Sequence, residues 1–214
     1  MTGPVKRRTY NTAARRTNSA ATRQRILDTA RTLFIDHGYR ATTIAAIAAG
    51  ADVNVDTIYE LIGRKPILLR ELIEQSLSGA DHPVEAQQRA HIIAMRAEPD
   101  PITKLAIYAR AIRETHERMA PLFLALRDAS STDPQAARVW LDISDRRATN
   151  MRKLTADVRH GDHRRYELPI NRAADVAWAM NSPEMYLMLT IERGWSPREY
   201  QQFLASSLHR LLLA

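Results

Sequence analysis

Apolar residues recur every three or four positions along most of this 214-residue chain, which is the period of an α-helix. No stretch shows the strict apolar–polar alternation of a half-buried strand. The pattern therefore predicts an all-α protein, divided by Gly and Pro at the ends of its helices. Five helical stretches are predicted after the first 80 residues, at about 85–97, 101–129, 134–160, 171–192 and 197–213.

Two short helices joined by a tight turn are predicted at about residues 43–62. The first has an apolar face that begins at Ile44, after a predicted N-cap at Thr43 or Thr42. The turn falls at Gly50-Ala51-Asp52, and Asn54 is the predicted N-cap of the second helix. An ordinary helical hairpin would show the same pattern, but the spacing is also that of a helix-turn-helix, whose second helix enters the DNA major groove.

A longer helix is predicted on each side of this pair. The one before it has an apolar stripe from Ile26 to Phe34 and is closed by Gly38. Gly63 ends the pair, and Pro66 suits the first turn of the fourth helix. The segment 79–83 then marks the predicted domain boundary.

From Thr22 to Leu77 the chain resembles the DNA-binding domain of the TetR family of transcriptional regulators. It departs from the family at Asp52, where glycine is usual in the turn, and at Ile62, where an aromatic residue is usual. Asp tolerates positive φ, so the turn can still form. The matching residues are Thr22, Arg23, Gln24, Arg25, Ile26, Leu27, Ala30, Leu33, Phe34, Gly38, Tyr39, Ala41, Thr42, Thr43, Ile47, Ala48, Val53, Thr57, Ile58, Tyr59, Lys65, Leu68 and Leu69.

The resemblance implies double-stranded DNA as a partner and assigns residues to two kinds of contact. Phosphate contacts are expected from Thr43, Thr57, Tyr59 and Lys65, whose hydroxyl and ammonium groups donate to phosphate oxygens. Base-facing positions are Ala45, Asn54, Val55 and Asp56. None of these four side chains can make the bidentate arginine–guanine contact, so we expect readout through thymine methyls and DNA shape.

The excess positive charge of the chain lies at its N-terminus. The first 25 residues hold seven of the 31 Lys and Arg residues and no Asp or Glu, which leaves 24 basic against 24 acidic residues. Residues 1–19 are therefore predicted to be a disordered basic arm that orders on nucleic acid, with Arg15, Arg16 and the nearby Arg23 as DNA contacts. A solvated tail with no role is the alternative.

A DNA-binding domain is thus predicted at residues 20–80 and a regulatory and dimerisation domain at residues 81–214. The second domain resembles TetR-family regulatory domains most in its tail, from Ala177 to Leu212. The resemblance implies a homodimer formed through the last two helices, and a pocket for a small-molecule inducer between the middle helices.

Large apolar residues at helical spacing are the candidates for both sites, although each could equally be plain core. The candidates for an apolar ligand are Tyr108, Ile112, Met119, Phe123, Trp140, Met151 and Trp178. The candidates for the dimer interface are Met185, Met188, Tyr200, Phe203, Leu204, Leu208 and Leu211.

Several other classes of protein are disfavoured by the sequence. It has no cysteine, no apolar run of the roughly 20 residues that cross a membrane and no apolar core behind its basic N-terminus, so we expect a cytoplasmic protein. It lacks the motifs of phosphate-binding loops, nucleophile elbows and helical metal sites, and we expect no metal, no cofactor and no enzyme activity. The function expected is that of a dimeric repressor released by a largely apolar ligand. A helical metal-dependent enzyme and a non-specific DNA-binding protein are the alternatives.

Overall fold

The computed structural model describes residues 12–78, 84–160 and 166–213, apart from the side chains of residues 12–16 and 86. Over these ranges the chain is all helical, as predicted, and no strand is present. The helices are α1 (Thr12–Ala41), α2 (Ile44–Gly50), α3 (Val55–Leu61), α4 (Lys65–Ser78), α5 (Ala90–Ala97), α6 (Pro101–Ser130), α7 (Pro134–Val158), α8 (Ile170–Met180), α9 (Pro183–Leu187) and α10 (Pro197–Leu213). A 3₁₀ turn, Ala86–Gln88, precedes α5, and a π-helical segment, Met188–Glu192, continues α9.

The turn between α2 and α3 forms as the sequence predicts. The Thr43 Oγ1 accepts a hydrogen bond from the Ala46 amide at 3.0 Å, which caps α2. Asp52 has φ 53°, so it takes the left-handed conformation that the family usually gives to glycine. Asn54 lies at the N-cap position of α3, but its side chain makes no capping hydrogen bond.

The first helix is longer than predicted. It begins at Thr12, so residues 12–19, which the sequence analysis assigns to a disordered arm, are helical. Ala13, Ala14, Ala20 and Ala21 explain this, because alanine has the highest intrinsic helix propensity. Residues 1–11 of the predicted arm lie outside the described residues. At its other end the regular helix stops at Gly38, whose φ of 73° interrupts it as predicted.

The prediction of one helix over residues 171–192 is wrong. The chain breaks after α8, where Ser182 accepts a hydrogen bond from the Met185 amide at 3.1 Å and so caps a new helix. Pro183 follows at the first position of α9, where its missing N–H costs nothing. The apolar spacing runs through this break, and for that reason periodicity alone did not show it.

Two clusters of buried apolar side chains hold the helices together. The N-terminal cluster joins α1–α4 to the second half of α6 and the first half of α7, so the core continues across the predicted boundary at residues 79–83. The C-terminal cluster joins α5, the first half of α6, the second half of α7 and α8–α10. Large members of the first are Ile26, Phe34, Ile58, Leu72, Phe123 and Ile143, and large members of the second are Leu105, Tyr108, Met151, Tyr186, Tyr200 and Leu204.

The close approach of α2 to α1 depends on Gly50. A Cβ at this position would lie 2.7 Å from the Thr29 Cγ2, well inside van der Waals contact. We expect Gly50→Ala to lower the free energy of unfolding by about 1 kcal/mol, because overpacking of about 1–3 kcal/mol outweighs a gain in helix propensity of up to about 1 kcal/mol. Urea denaturation measures the change.

The Thr29→Ser background isolates this contact, because serine lacks the Cγ2 methyl. In that background Gly50→Ala should become neutral or stabilising. The same loss of stability in both backgrounds would show that the Thr29 methyl does not set the spacing of the two helices.

Candidate nucleic-acid interface and buried polar site

A concave surface lies where α2, α3 and α4 meet the turn between α6 and α7. It brings together three of the four residues predicted to contact phosphate, namely Thr43, Tyr59 and Lys65. The fourth, Thr57, is half-buried on α3 and does not line this surface. The lining residues are Tyr39, Thr43, Ile44, Tyr59, Arg64, Lys65, Pro66, Asp133, Pro134, Gln135 and Arg138.

Lys65 ties the first turn of α4 to the end of α1. Its Nζ donates to the carbonyl oxygens of Tyr39 at 2.8 Å and Thr42 at 2.9 Å, and it lies 3.9 Å from the centre of the Tyr39 ring. Desolvation lowers the pKa of Lys65, and the nearby carboxylate of Asp133 opposes that shift. An ammonium group has three N–H donors, so one is left for a phosphate.

Tyr39 and Asp133 link this region to the helices that follow it. The Tyr39 hydroxyl donates to Asp133 Oδ2 at 2.8 Å, while Asp133 Oδ1 accepts from the amides of Gln135 and Ala136 and so caps α7. These bonds lower the pKa of Asp133 against the effect of its desolvation. Burial, together with this hydrogen bond, raises the pKa of Tyr39. Asp133 is therefore a charged acceptor shared by both halves of the chain.

The residues predicted to face bases differ in accessibility. Ala45, Asn54 and Asp56 are exposed on α2 and at the start of α3. Val55 is half-buried and packs against the N-terminal cluster, so only part of its side chain is available to DNA. These four assignments stay predictions.

The predicted arm contacts lie apart from the concave surface. Arg23 pairs with Glu71 of α4, so contact with DNA would require it to share or leave that carboxylate. Arg15 and Arg16 belong to the first turns of α1, and their side chains lie outside the described residues. Arg64 and Arg138, by contrast, line the surface and were not predicted. Arg64 could have been found beside Lys65, whereas Arg138 lies far from the motif in sequence.

The residues predicted to bind a ligand do not form one apolar pocket. Met119 and Phe123 belong to the N-terminal cluster and Trp140 packs against it. Tyr108 and Met151 belong to the C-terminal cluster, against which Ile112 and Trp178 pack. The expectation of a single apolar site is therefore corrected, because the two sets separate along α6 and α7.

Polar side chains that the sequence analysis did not single out lie between the two sets. The guanidinium Cζ of Arg147 is 5.5 Å from the centre of the Phe123 ring and 5.2 Å from that of the Trp178 ring. Arg147 donates to the Asn181 side chain, which in turn donates to the Tyr108 hydroxyl. An arginine on an amphipathic helix is usually solvated, so the periodicity of α7 gave no signal of this position.

His116 lies beside this group, inside three aromatic contacts. Its ring is 5.5 Å from the Tyr186 ring and 6.1 Å from the Tyr200 ring, measured between centres. Desolvation, assisted by the charge of Arg147, lowers the pKa of His116 to about 3. The imidazole is therefore neutral at neutral pH. Its Nδ1, the Tyr200 hydroxyl and the Trp178 Nε1 are buried without a hydrogen-bond partner.

Part of the predicted dimer interface is wrong. Tyr200, Leu204 and Leu208 have no accessible surface in the single chain, so they belong to its core and cannot contact a partner. Met185, Phe203 and Leu211 are half-buried, and Met188 is 51% exposed. The helical period of α10 shows a stripe, but it does not show which of two neighbouring stripes faces inward.

Two properties were searched for over the described residues. None of the helices there is both long and apolar enough to span a membrane. No group of three or more His, Asp or Glu side chains in the same residues is arranged to hold a metal ion.

Residues 26–65 match the sequence model of a family described as bacterial regulatory proteins, tetR family. This match contains the predicted helix-turn-helix, and it confirms the resemblance over the segment that forms the concave surface. Among curated proteins, none matches the sequence of this chain.

Solved structures share the fold along nearly the whole chain. A protein from Syntrophomonas wolfei, described as a TetR-family transcriptional regulator, superposes with a TM-score of 0.70 at 17% identity, over 91% of this chain and 96% of its own. The fatty acid degradation regulator FadR from Bacillus halodurans gives 0.69 at 18% identity, over 90% and 95%. A transcriptional regulator from Saccharomonospora viridis, in complex with choline, gives 0.66 at 18%, over 89% and 96%.

The burial of His116 predicts a pH dependence of stability. Its pKa is about 3 in the folded chain, against about 6.5 in an unfolded one. As the pH falls below about 6.5, the unfolded state takes up a proton that the folded state excludes, so stability falls until about pH 3. Between pH 7 and pH 5 this group alone should remove about 2 kcal/mol from the free energy of unfolding.

Urea denaturation at the two pH values tests this, with His116→Gln as the variant that cannot titrate. His116→Gln should lose about 2 kcal/mol less than the parent chain, while His37→Gln, at an exposed histidine of α1, should follow the parent. Equal losses for all three proteins would refute the prediction.

Proposed function

We propose that this chain, which has a TetR-type DNA-binding domain and the TetR fold, is a sequence-specific DNA-binding transcriptional regulator. In the fuller form of the proposal it is a dimeric repressor, residues 20–80 bind a palindromic operator, and a small molecule bound in residues 81–214 releases it. A likeness of fold at 17–18% identity carries no function by itself, so the proposal depends on the geometry of the site.

The observation that carries the proposal is the concave surface beside α3. It collects two hydroxyl groups, Thr43 and Tyr59, and three cationic side chains, Arg64, Lys65 and Arg138, next to a helix whose first turn is exposed. Tyr59 is 49% exposed although it is a large aromatic residue. Donors and cations on one concave face suit a phosphate backbone, while the first turn of α3 lies in the major groove.

Regulation by a ligand requires that the helices after residue 81 move the DNA-binding domain. The structure offers two physical links for this, the continuous N-terminal cluster and the hydrogen bond from Tyr39 to Asp133. The neighbour from Saccharomonospora viridis is in complex with choline, which shows that a protein of this fold binds a small molecule. A ligand acts only through its different affinity for the two spacings of the recognition helices.

For the homodimer we propose the apolar surface that the C-terminal helices leave accessible. It includes Met188 and Ile191, which are 51% and 75% exposed on the π-helical segment, with Met185 before them. On α10 it includes Phe203 and Leu211, which are half-buried. Two copies related by a two-fold axis would cover this surface and present two recognition helices to a palindrome.

Removing the Tyr59 hydroxyl should weaken binding to every DNA sequence by the same factor. We expect Tyr59→Phe to raise the dissociation constant about threefold to tenfold for any duplex, because one hydrogen bond to a charged phosphate is lost and no base contact changes. The operator is first obtained by selection from random DNA, and affinities are then compared on the selected and on scrambled duplexes.

Tyr166→Phe is the matched control, because it removes a hydroxyl from the segment before α8 and should leave DNA affinity unchanged. A selection that enriches no sequence would favour the non-specific DNA-binding protein. Loss of affinity on the selected duplex alone would move Tyr59 from phosphate to base recognition.

Tyr39→Phe tests the link between the two halves of the chain. It removes the bond to Asp133 but keeps the ring that Lys65 contacts and the cap that Asp133 places on α7. We expect affinity for a full palindrome to fall about threefold to tenfold, since the orientation of the recognition helix is less restrained. Affinity for an isolated half-site should be unchanged, because a single domain needs no fixed spacing.

Both duplexes are measured with the full chain by fluorescence anisotropy. An equal loss on the palindrome and on the half-site would mean that Tyr39 supports the DNA-binding domain itself, and it would contradict the proposed link.

A further inference from the structure

Arg147 is a cation surrounded by neutral groups. Its Nη2 donates to the carbonyl oxygens of Trp178 and Asn181, both at 3.3 Å, and to the Asn181 side-chain oxygen at 3.1 Å. These three bonds use one nitrogen. Among the described residues, Nε and Nη1 have no hydrogen-bond acceptor and no carboxylate lies within salt-bridge distance of the guanidinium group.

Acids that could neutralise this charge are engaged elsewhere. Glu184, the acid whose field acts on Arg147, lies 3.4 Å from Arg127. On the same helix, Arg146 pairs with Glu74 and Asp142, as an exposed arginine can. Burial without an acid lowers the pKa of Arg147, since water is removed and no full negative charge replaces it.

Unpaired polar atoms converge on the same place. The Trp178 Nε1, on the ring that the guanidinium faces, is buried without an acceptor. The Tyr200 hydroxyl and the His116 Nδ1 are also buried and unpartnered, and both groups feel the charge of Arg147. Buried donors without partners are rare in native proteins, and a cluster of them indicates a missing ligand or ion.

The unfilled groups are mostly donors. Arg147 offers N–H groups at Nε and Nη1, Trp178 can only donate, and the Tyr200 hydroxyl can donate. A carboxylate matches the fork of a guanidinium group in a bidentate manner and accepts further hydrogen bonds at its remaining lone pairs. Apolar side chains, including Phe123 and Met151, lie around this polar centre and suit a hydrocarbon portion.

We propose that the regulatory ligand is a carboxylate with an apolar body, anchored by Arg147 between α6, α7 and α8. Trp178 and Tyr200 donate to the same carboxylate, and the body of the ligand lies against Phe123 and Met151. This inference rests on the proposed function, and it replaces the expectation of a largely apolar ligand. The rings of His116, Tyr186 and Tyr200 would suit an alkylammonium ion, but the charge of Arg147 repels one.

Three probes with the same alkyl chain separate the chemical classes: octanoate, 1-octanol and octyltrimethylammonium, with benzoate as an aromatic carboxylate. Binding to the full chain is followed without DNA by isothermal titration calorimetry and by the fluorescence of Trp140 and Trp178. We expect octanoate or benzoate to bind at least tenfold more tightly than the alcohol and the ammonium ion.

Substitutions then test the anchor. Arg147→Met should weaken the bound carboxylate about tenfold or more, and Arg147→Lys should recover part of that loss, because it keeps the charge but not the fork. Arg152→Met, one helical turn further along α7 at an exposed position, is the matched control and should change nothing.

Tyr200→Phe covers the case in which Arg147 variants fail to fold. Because the Tyr200 hydroxyl has no partner in the free chain, its removal should leave the melting temperature unchanged or higher, yet weaken the carboxylate about threefold to tenfold. Loss of stability without loss of affinity would overturn the role assigned to this hydroxyl.

Failure of both carboxylates to bind, or equally tight binding of the ammonium ion, would overturn the inference. Selection of an operator from random DNA would still support the proposed DNA-binding function in that case. Conversely, a carboxylate that binds through Arg147 but leaves operator affinity unchanged would uphold the site and refute release by this ligand.

Discussion

The arrangement of the DNA-binding domain depends on one amine placed against the carboxyl end of a helix. The first helix ends at Gly38, and the carbonyl groups of Tyr39 and Thr42 then point away from it. Lys65 reaches both from the fourth helix and so holds together the two ends of the segment that contains the helix-turn-helix. The attraction is strong because the ammonium charge meets carbonyl dipoles where water is partly excluded.

The same amine connects DNA recognition to the rest of the molecule. Asp133 lies close enough to stabilise its charge, accepts from Tyr39 and also starts the seventh helix. A displacement of that helix start therefore acts on the two side chains that hold the end of the first helix. Arg147, on the same seventh helix, lies at the other end of this path, beside the buried polar site.

How much could be predicted from the sequence differs between the two halves. Local rules were enough for the Thr43 cap, the turn at Asp52 and the stop at Gly38, since each depends on neighbours a few residues away. The position of Arg147 could not be predicted, because its partners come from helices far along the chain. The interior position of Tyr200 was missed for a related reason: a helical stripe looks the same whether it faces its own core or a second subunit.

The continuous N-terminal cluster also has a meaning for protein engineering. Regulators of this kind invite chimaeras in which the reading head of one protein is grafted onto the sensor of another. Here a cut at residues 79–83 would divide a single hydrophobic core, leaving Leu72 without Phe123 and Ile143 in its cluster. A workable graft would carry the inward faces of the sixth and seventh helices with the reading head, so the exchangeable unit is discontinuous in sequence.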